Sequence, residues 1–322
     1  MELVTVDIGG THARFAIATI GTNGSITLDE PETLHTEDHA SFQTAWEDYR
    51  ARKGGSLPGA VAMAVAGPVG GDVIRFTNNP WILRPALIEE KLGAARHTIV
   101  NDFEAVGHAA ARAPDDAFLH VTGPEGPLPA SGTISVIGPG TGLGVAHFHR
   151  DPAGYRVQAT EGGHGDFAPV DAIEDAILAR LRRRHNRVSD ERVVAGPAIV
   201  DIYHTLARME NRAVREEDDV ALWTKGLAGD SLAAAAIDRF CLALGSVAGN
   251  IALVQGASGV VLAGGLGYRI RDTLRASGFA ARFCAKGRFA GLMATIPVKL
   301  ITHPQPGLYG AAAAFAAEHG TS

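Results

Sequence analysis

The strongest constraint on this chain is a hairpin that it carries twice. Residues 3–7 are apolar enough for a short buried strand, Gly9-Gly10-Thr11 turns, and Ala13, Phe15 and Ile17 then fall on one face of an alternating run. Alternation after the turn means a second strand and not a helix. The plan returns at residues 133–137, the turn Gly138-Pro-Gly-Thr-Gly-Leu-Gly144, and residues 145–148. Superposing Gly10-Thr11 on Gly140-Thr141 aligns two strand–Gly/Thr turn–strand units, one in each expected domain. Such a pair predicts duplicated halves facing each other across a cleft; chance likeness between two β-turns is the alternative. The length agrees, since 322 residues at roughly 150 per domain give about two.

Between and after the hairpins, strands and helices alternate. Residues 61–66 and 98–100 read as buried strands, with a short helix over 85–92 between them. In the second half Asp171 caps a helix through Arg184, and Pro197 opens another over 198–209. Asp230 begins a long one in which Ile237, Phe240, Leu244, Val247, Ile251 and Val254 recur at three- and four-residue spacing. A strand over 259–263 meets Gly264-Gly265, and residues 268–276 are again helical. A strand over 296–301 follows, and Pro306-Gly307 leads into an Ala-rich helix over 308–318. No low-complexity linker divides the chain, so the domains are joined by ordinary crossings that allow hinging.

Composition narrows the function. A net charge of −6 argues against a general nucleic-acid or anionic-membrane binder. The basic run Arg180, Arg182, Arg183, Arg184 and Arg187 ends a helix, where cations complement the macrodipole, and reads as a solvated face. Residues 240–268 carry no charge, but seven glycines and a turn at Gln255-Gly256-Ala257-Ser258-Gly259 split them into a helix and a strand, not a membrane span. Glu2 and Asp7 interrupt the start, so no signal peptide is expected. Cys241 and Cys284 are too few for a disulfide scaffold or a CxxC zinc site and suggest reduced thiols in the cytoplasm.

Glycine is in excess, 39 of 322 residues, which suits tight turns or loops that let backbone approach a ligand. There is no GxxxxGK[ST], so a Walker-type P-loop is absent. Gly138 to Gly144 superficially resembles a dinucleotide fingerprint, yet a strand and then Asp151-Pro152 follow where a helix is required. Two Gly/Thr turns remain whose backbone N–H groups can converge on phosphate oxygens, with hydroxyls from Thr11 and Thr141. Asp7 at the end of the first strand suits Mg²⁺, directly or through water; a turn-stabilising Asp is the plainer alternative. Gly264-Gly265 either admits a purine or ribose or permits close packing.

Two polar clusters complete the inventory. Asn101-Asp102 follows a buried strand and precedes a helix, so helix capping is one role. At a strand's carboxyl end Asp102 could also accept the proton of a hydroxyl that attacks phosphorus. Glu161-Gly-Gly-His164 can turn a carboxylate and an imidazole toward sugar hydroxyls, with Glu191, read as lying in the loop before the Pro197 helix, joining them. A surface turn, or a metal site with Asp166, are the competing readings. His147 and His149 share a strand face and read as structural.

In order, Val6-Asp-Ile-Gly-Gly-Thr11, Ala66-Gly-Pro68, Thr77-Asn78 with Trp81, Val100-Asn-Asp-Phe103 and Gly138-Pro-Gly-Thr-Gly-Leu-Gly-Val-Ala146 resemble the bacterial glucokinase family of the hexokinase–actin ATPase superfamily. Glu161-Gly-Gly-His164 with Asp166-Phe-Ala-Pro169, Glu191-Arg with Gly196-Pro197, Ala263-Gly-Gly265 and Lys286-Gly-Arg-Phe289 extend the resemblance over nearly the whole chain. It implies an α/β, two-domain actin-like ATPase (ribonuclease H-like) fold with a central cleft. A small domain would span residues 1–110 plus about 303–322, and a large one 111–302. It implies ATP-dependent phosphorylation of D-glucose on its 6-hydroxyl, with Asp102 as general base and Asn101, Asp102, Glu161, His164 and Glu191 on the sugar. Val6, Asp7, Ile8, Gly9, Gly10 and Thr11 would face the phosphates and Mg²⁺, Gly138, Gly140, Thr141 and Gly142 would form the second phosphate loop, and Gly264 and Gly265 would lie near adenosine. A cytoplasmic homodimer is the family expectation. The related repressor/open-reading-frame/kinase sugar kinases carry a cysteine-rich zinc motif beside the active-site His. Neither cysteine here lies near His164 in sequence, so no structural zinc is expected. A kinase for another hexose or one using polyphosphate is the alternative. A sugar-sensing repressor is disfavoured, because the first strand begins at Leu3 with no DNA-binding helix-turn-helix before it.

Overall fold

The computed structural model describes residues 1–76 and 79–320; Thr77 and Asn78, part of the family-like pattern, lie outside the described residues. The chain divides into two units, residues 1–113 with 157–159 and 303–322, and residues 114–156 with 160–302.

In the first unit, β1 (Glu2–Ile8), β2 (His12–Ile20), β3 (Ile26–Leu28), β4 (Glu32–His35), β5 (Ala60–Val65) and β8 (Arg96–Asn101) make one sheet of order β3-β2-β1-β5-β8, with β4 beside β2. The short strands β6 (Ile74–Arg75) and β7 (Ile82–Leu83) pair separately. The hairpin expected around the first Gly/Thr turn is present, antiparallel from Glu2↔Thr19 to Ile8↔Ala13. β1, β5 and β8 run parallel, and every residue of β5 is buried, as a strand covered on both faces requires. Helix α1 (Phe42–Arg52) starts at a reciprocal Ser41–Thr44 capping box and buries Phe42, Ala45, Trp46 and Tyr49, one face at helical spacing. Helix α2 (Ile88–Leu92) precedes β8, and α3 (Asp102–Arg112) leaves its end.

The C-terminal helix, Pro306–Glu318, belongs to this unit and is buried from Gly307 to Ala316. It packs on α3 and on β1, β5 and β8, which explains why it is built from Ala and Gly and lacks a polar face. Two polar ties fix it along its length: the Thr5 hydroxyl donates to Leu308 O at 2.7 Å, and the Thr98 hydroxyl donates to the Glu318 carboxylate at 2.6 Å.

The second unit repeats the scheme. Its sheet comprises β9 (Phe118–Thr122), β10 (Gly132–Pro139), β11 (Leu143–Asp151), β12 (Gly154–Thr160, whose residues 157–159 are counted with the first unit), β13 (Ala257–Leu262) and β14 (Val298–Ile301), ordered β12-β11-β10-β13-β14-β9. An antiparallel hairpin beside two parallel strands is thus common to both sheets, with β10, β11, β13 and β14 matching β1, β2, β5 and β8. Helices α4 (Ala172–Arg182), α5 (Glu191–Val194), α6 (Ala198–Met209), α7 (Asp219–Leu227), α8 (Ser231–Gln255) and α9 (Gly265–Arg269) complete the part that bears on function. Asp171 and Asp230 cap α4 and α8, as expected, each accepting from backbone N–H groups of the first turn. Among the described residues α8 is the one helix long and apolar enough to cross a membrane, but most of its apolar stretch is buried inside this unit. Cys241 lies on it, wholly buried, and burial pushes its thiol up to about 12. One boundary differs from expectation: the helix after β13 begins at Gly265 and not at Tyr268, because Gly264, at φ 91° and ψ 154°, makes the turn by itself.

Candidate active site

In the first unit the polar candidates collect where β1, β5 and β8 end. Asp7 is the penultimate residue of β1 and Asn101 the last of β8. The register aligns Ile8 with Val65 and Val65 with Asn101, which puts Asp7 and Asn101 two strands apart, about 10 Å across the sheet. The Asn101 side chain accepts from Phe103 N at 2.9 Å and Glu104 N at 3.3 Å, so it is the helix cap, and its amide donates to Gly67 O at 3.3 Å. Asp102 is therefore the first residue of α3 and not its cap, and its carboxylate also accepts from Phe103 N at 2.9 Å.

Asp7 faces Arg14 across the hairpin, with its carboxylate 3.3 Å from the guanidinium. Burial outweighs that charge and pushes the carboxyl above its ordinary value. A cation bound beside it would reverse this shift. One carboxylate at a strand end is a donor set that suits Mg²⁺, which fills its other positions with water and substrate phosphates. Among the described residues no group of three or more His, Cys, Asp or Glu could hold a metal by itself.

The glycine turns are more fully bonded internally than the sequence implies. Gly9 N–H donates to His12 O at 2.9 Å, and Gly140 N–H donates to Gly142 O at 2.8 Å. Those two donors close their own turns. The Thr36 hydroxyl holds Gly10 O at 2.9 Å, which fixes the first turn from outside. Not every glycine is explained by a ligand. A Cβ on Gly163 would lie 2.3 Å from Leu143 O, and one on Gly264 would lie 3.0 Å from Pro139 O, so protein backbone already demands both glycines. Gly265 has open space around its Cβ direction, which leaves room for a ligand.

The second unit brings the remaining candidates together around the end of β10. Glu161 and His164 lie 3.7 Å apart on a short 3₁₀ turn, both well exposed. Glu191 does not lie in a loop, as expected from sequence; it opens α5, whose Val193 and Val194 are wholly buried and fix its backbone. Its carboxylate reaches into the second glycine turn, accepting from Leu143 N at 2.9 Å. Gly196 N–H donates to Gly140 O at 2.7 Å, and the Trp223 indole donates to Gly196 O at 2.9 Å.

The basic run faces solvent, as its composition suggested, with Arg182, Arg183, Arg184 and Arg187 all exposed, but three of its arginines also hold partners. Arg180 and Arg184 both pair with Asp201, which is nine-tenths buried, while Arg187 grips His164 O and the Asp166 carboxylate. Arg187 thus pins the Glu161–His164 turn, a role invisible in a run of arginines because both partners are some twenty residues distant. Asp190, also unremarked in the sequence, is 7% exposed and holds Gly165 O through its N–H at 2.8 Å. Burial first, and then the Asp166 charge, push its carboxyl up to about 7, against the pull of Lys286.

The native state therefore favours protonated Asp190, while the unfolded chain ionises it near pH 4. Stability is lost as pH rises between those values and levels off above about 7. Asp190→Asn should accordingly stabilise the protein by an amount that grows from almost nothing at pH 4 to about 4 kcal/mol at pH 8. Melting curves of the two proteins across that range check it; a gain independent of pH would contradict it.

A cavity of about 480 Å³ also lies in the first unit, lined by Phe42, Trp81, Leu83 and Ile88 among others.

Two α/β units of matching strand order, each carrying a Gly/Thr hairpin turn, define the actin-like ATPase fold shared by sugar kinases. Within that class the chain belongs to the glucokinase family, whose model matches residues 4–318. It is 54% identical over 317 residues to the glucokinase of Zymomonas mobilis, covering 98% of both chains, and 39% identical to that of Caulobacter vibrioides, covering 97% of this chain and 94% of the other. A crystal structure of glucokinase from an Antarctic psychrotroph superposes with a TM-score of 0.87 at 30% identity, covering 98% of this chain and 99% of that one.

Proposed function

We propose that the chain is an ATP-dependent glucokinase that phosphorylates D-glucose on its 6-hydroxyl. The observation that carries this reading is the end-to-end similarity to the Zymomonas mobilis glucokinase in a chain that keeps Asp102 at the carboxyl end of a parallel strand. Asn101, Glu161, His164 and Glu191 bind the sugar hydroxyls, as both donors and acceptors are needed there. Asp102 accepts the 6-hydroxyl proton as that oxygen forms its bond to the γ-phosphorus. The bond to the β–γ bridging oxygen breaks, and ADP leaves with the electron pair. N–H groups of Gly10, Thr11, Thr141 and Gly142 and the two threonine hydroxyls hold the phosphates, and Gly264-Gly265 flanks the adenosine. Asp7 would hold Mg²⁺ through water, and that ion, when bound, neutralises charge on the phosphates. The family resemblance supports a cytoplasmic homodimer.

The test is a panel of glucose, mannose, fructose and N-acetylglucosamine with ATP or polyphosphate as donor, scored by kcat/KM. Glucose with Mg-ATP is expected to exceed every other pairing by at least about tenfold, the discrimination that one well-placed hydrogen bond supplies. A higher value for another hexose or for polyphosphate would overturn the reading.

A further inference from the structure

The second glycine turn and the sugar-binding residues meet at one residue, Leu143. Leu143, the first residue of β11, gives its N–H to the Glu191 carboxylate at 2.9 Å. On the other side of the same residue, Leu143 O lies against Gly163, where a Cβ would approach to 2.3 Å. Gly142, next in the turn, leaves the same Glu191 oxygen room: a Cβ there would lie 2.5 Å from it. The turn is held once more by Gly196 N–H on Gly140 O. Glu191 is not a free surface carboxylate that happens to touch the turn. Its backbone is fixed by the buried Val193 and Val194, and its own carbonyl accepts from Ala195 N at 3.0 Å. A carboxylate has two oxygens, and only Oε2 is engaged by Leu143.

We propose that Glu191 is a positioning residue for the phosphate-binding turn as well as a sugar ligand: Oε2 anchors the turn through Leu143 N–H, leaving Oε1 for a sugar hydroxyl. This rests on the functional reading above, in which the turn holds ATP phosphates. An ionised acceptor on a backbone N–H makes a stronger bond than a neutral one, so its removal frees the turn where phosphate donors must be aligned. The same carboxylate then links the two substrates energetically. Whatever sugar does to nucleotide affinity through Glu191, nucleotide does to sugar affinity by the same factor.

The role separates from sugar binding when no sugar is present. ADP with Mg²⁺ is titrated calorimetrically into the sugar-free full-length protein, wild type, Glu191→Ala and Glu191→Gln. Glu191→Ala is expected to weaken ADP binding about five- to tenfold, whereas Glu191→Gln loses only about two- to threefold, because its amide oxygen still accepts from Leu143 N–H without the charge. Glucose should tighten ADP binding in the wild type and lose most of that effect in Glu191→Ala. If Glu191→Ala does not fold, Glu191→Asp, one methylene short of Leu143, is expected to show the same nucleotide loss. Unchanged ADP affinity in a folded Ala or Asp variant overturns the anchoring role. Absence of glucose phosphorylation by the wild type would instead sink the functional reading, and the sugar-free comparison keeps the two failures apart.

Discussion

Asp102→Asn should lower kcat for glucose phosphorylation by about 10³-fold while changing the glucose KM by less than about fivefold, because a positioned base contributes on the order of 10²–10⁴ to a proton transfer. The structure makes this a clean substitution. Asn101, not Asp102, caps α3, and the asparagine oxygen introduced at position 102 can still accept from Phe103 N–H. Helix and strand end therefore stay in place, and the melting temperature should move by no more than about 2 °C. Turnover is read in an assay coupled to glucose 6-phosphate formation. A variant that keeps even a tenth of wild-type kcat would remove Asp102 from the role of base. A variant that loses activity together with its cooperative melting transition would implicate the cap instead.

The second large effect lies outside the polar residues. Gly310, in the middle of the C-terminal helix, meets α3 so closely that a Cβ would stand 1.8 Å from Ala105 O and 2.5 Å from its carbon. Both obstacles are backbone of a buried helix, and no side chain can swing away. Gly310→Ala should thus cost about 3 kcal/mol or more, although alanine is the better helix former by about 1 kcal/mol. A fall in melting temperature of roughly 6–12 °C follows for units of this size. Activity should fall further than the unfolded fraction explains, since α3 carries Asp102 on its first residue and a displacement near 1 Å costs on the order of 10²-fold in rate. Equal stability of the two proteins would show that the helices separate without penalty.

The hairpins were legible because alternation on either side of a glycine turn is a local signal, and so were the caps Asp171 and Asp230, which need only the next three residues. The parallel order of both sheets extends the likeness of two short turns over whole strands. What stayed hidden depends on approach between distant segments. No local pattern announces that Glu191 opens a short helix and reaches Leu143, 48 residues away. Arg187 looked like one cation in a run because Asp166 and His164 are brought to it only by the fold. Of the Gly264-Gly265 pair, the first is required by protein backbone and only the second has open space beside it. Asp190 gave no sign at all, since burial of a lone carboxyl beside Glu191 is a tertiary fact.

The order in which the chain leaves the ribosome gives the C-terminal helix a further meaning. Gly307, on its first turn, lies against Asp7, with a Cβ position 2.8 Å from that carboxylate, and Thr5 is tied to Leu308. The strand bearing Asp7 is synthesised about 300 residues before its cover, a delay of roughly 15–60 s at 5–20 residues per second. The second unit, residues 114–156 with 160–302, is complete by the time residue 302 emerges, and can fold first. Until then β1 and β5 lack the helix that covers one of their faces, so the first unit closes its core last.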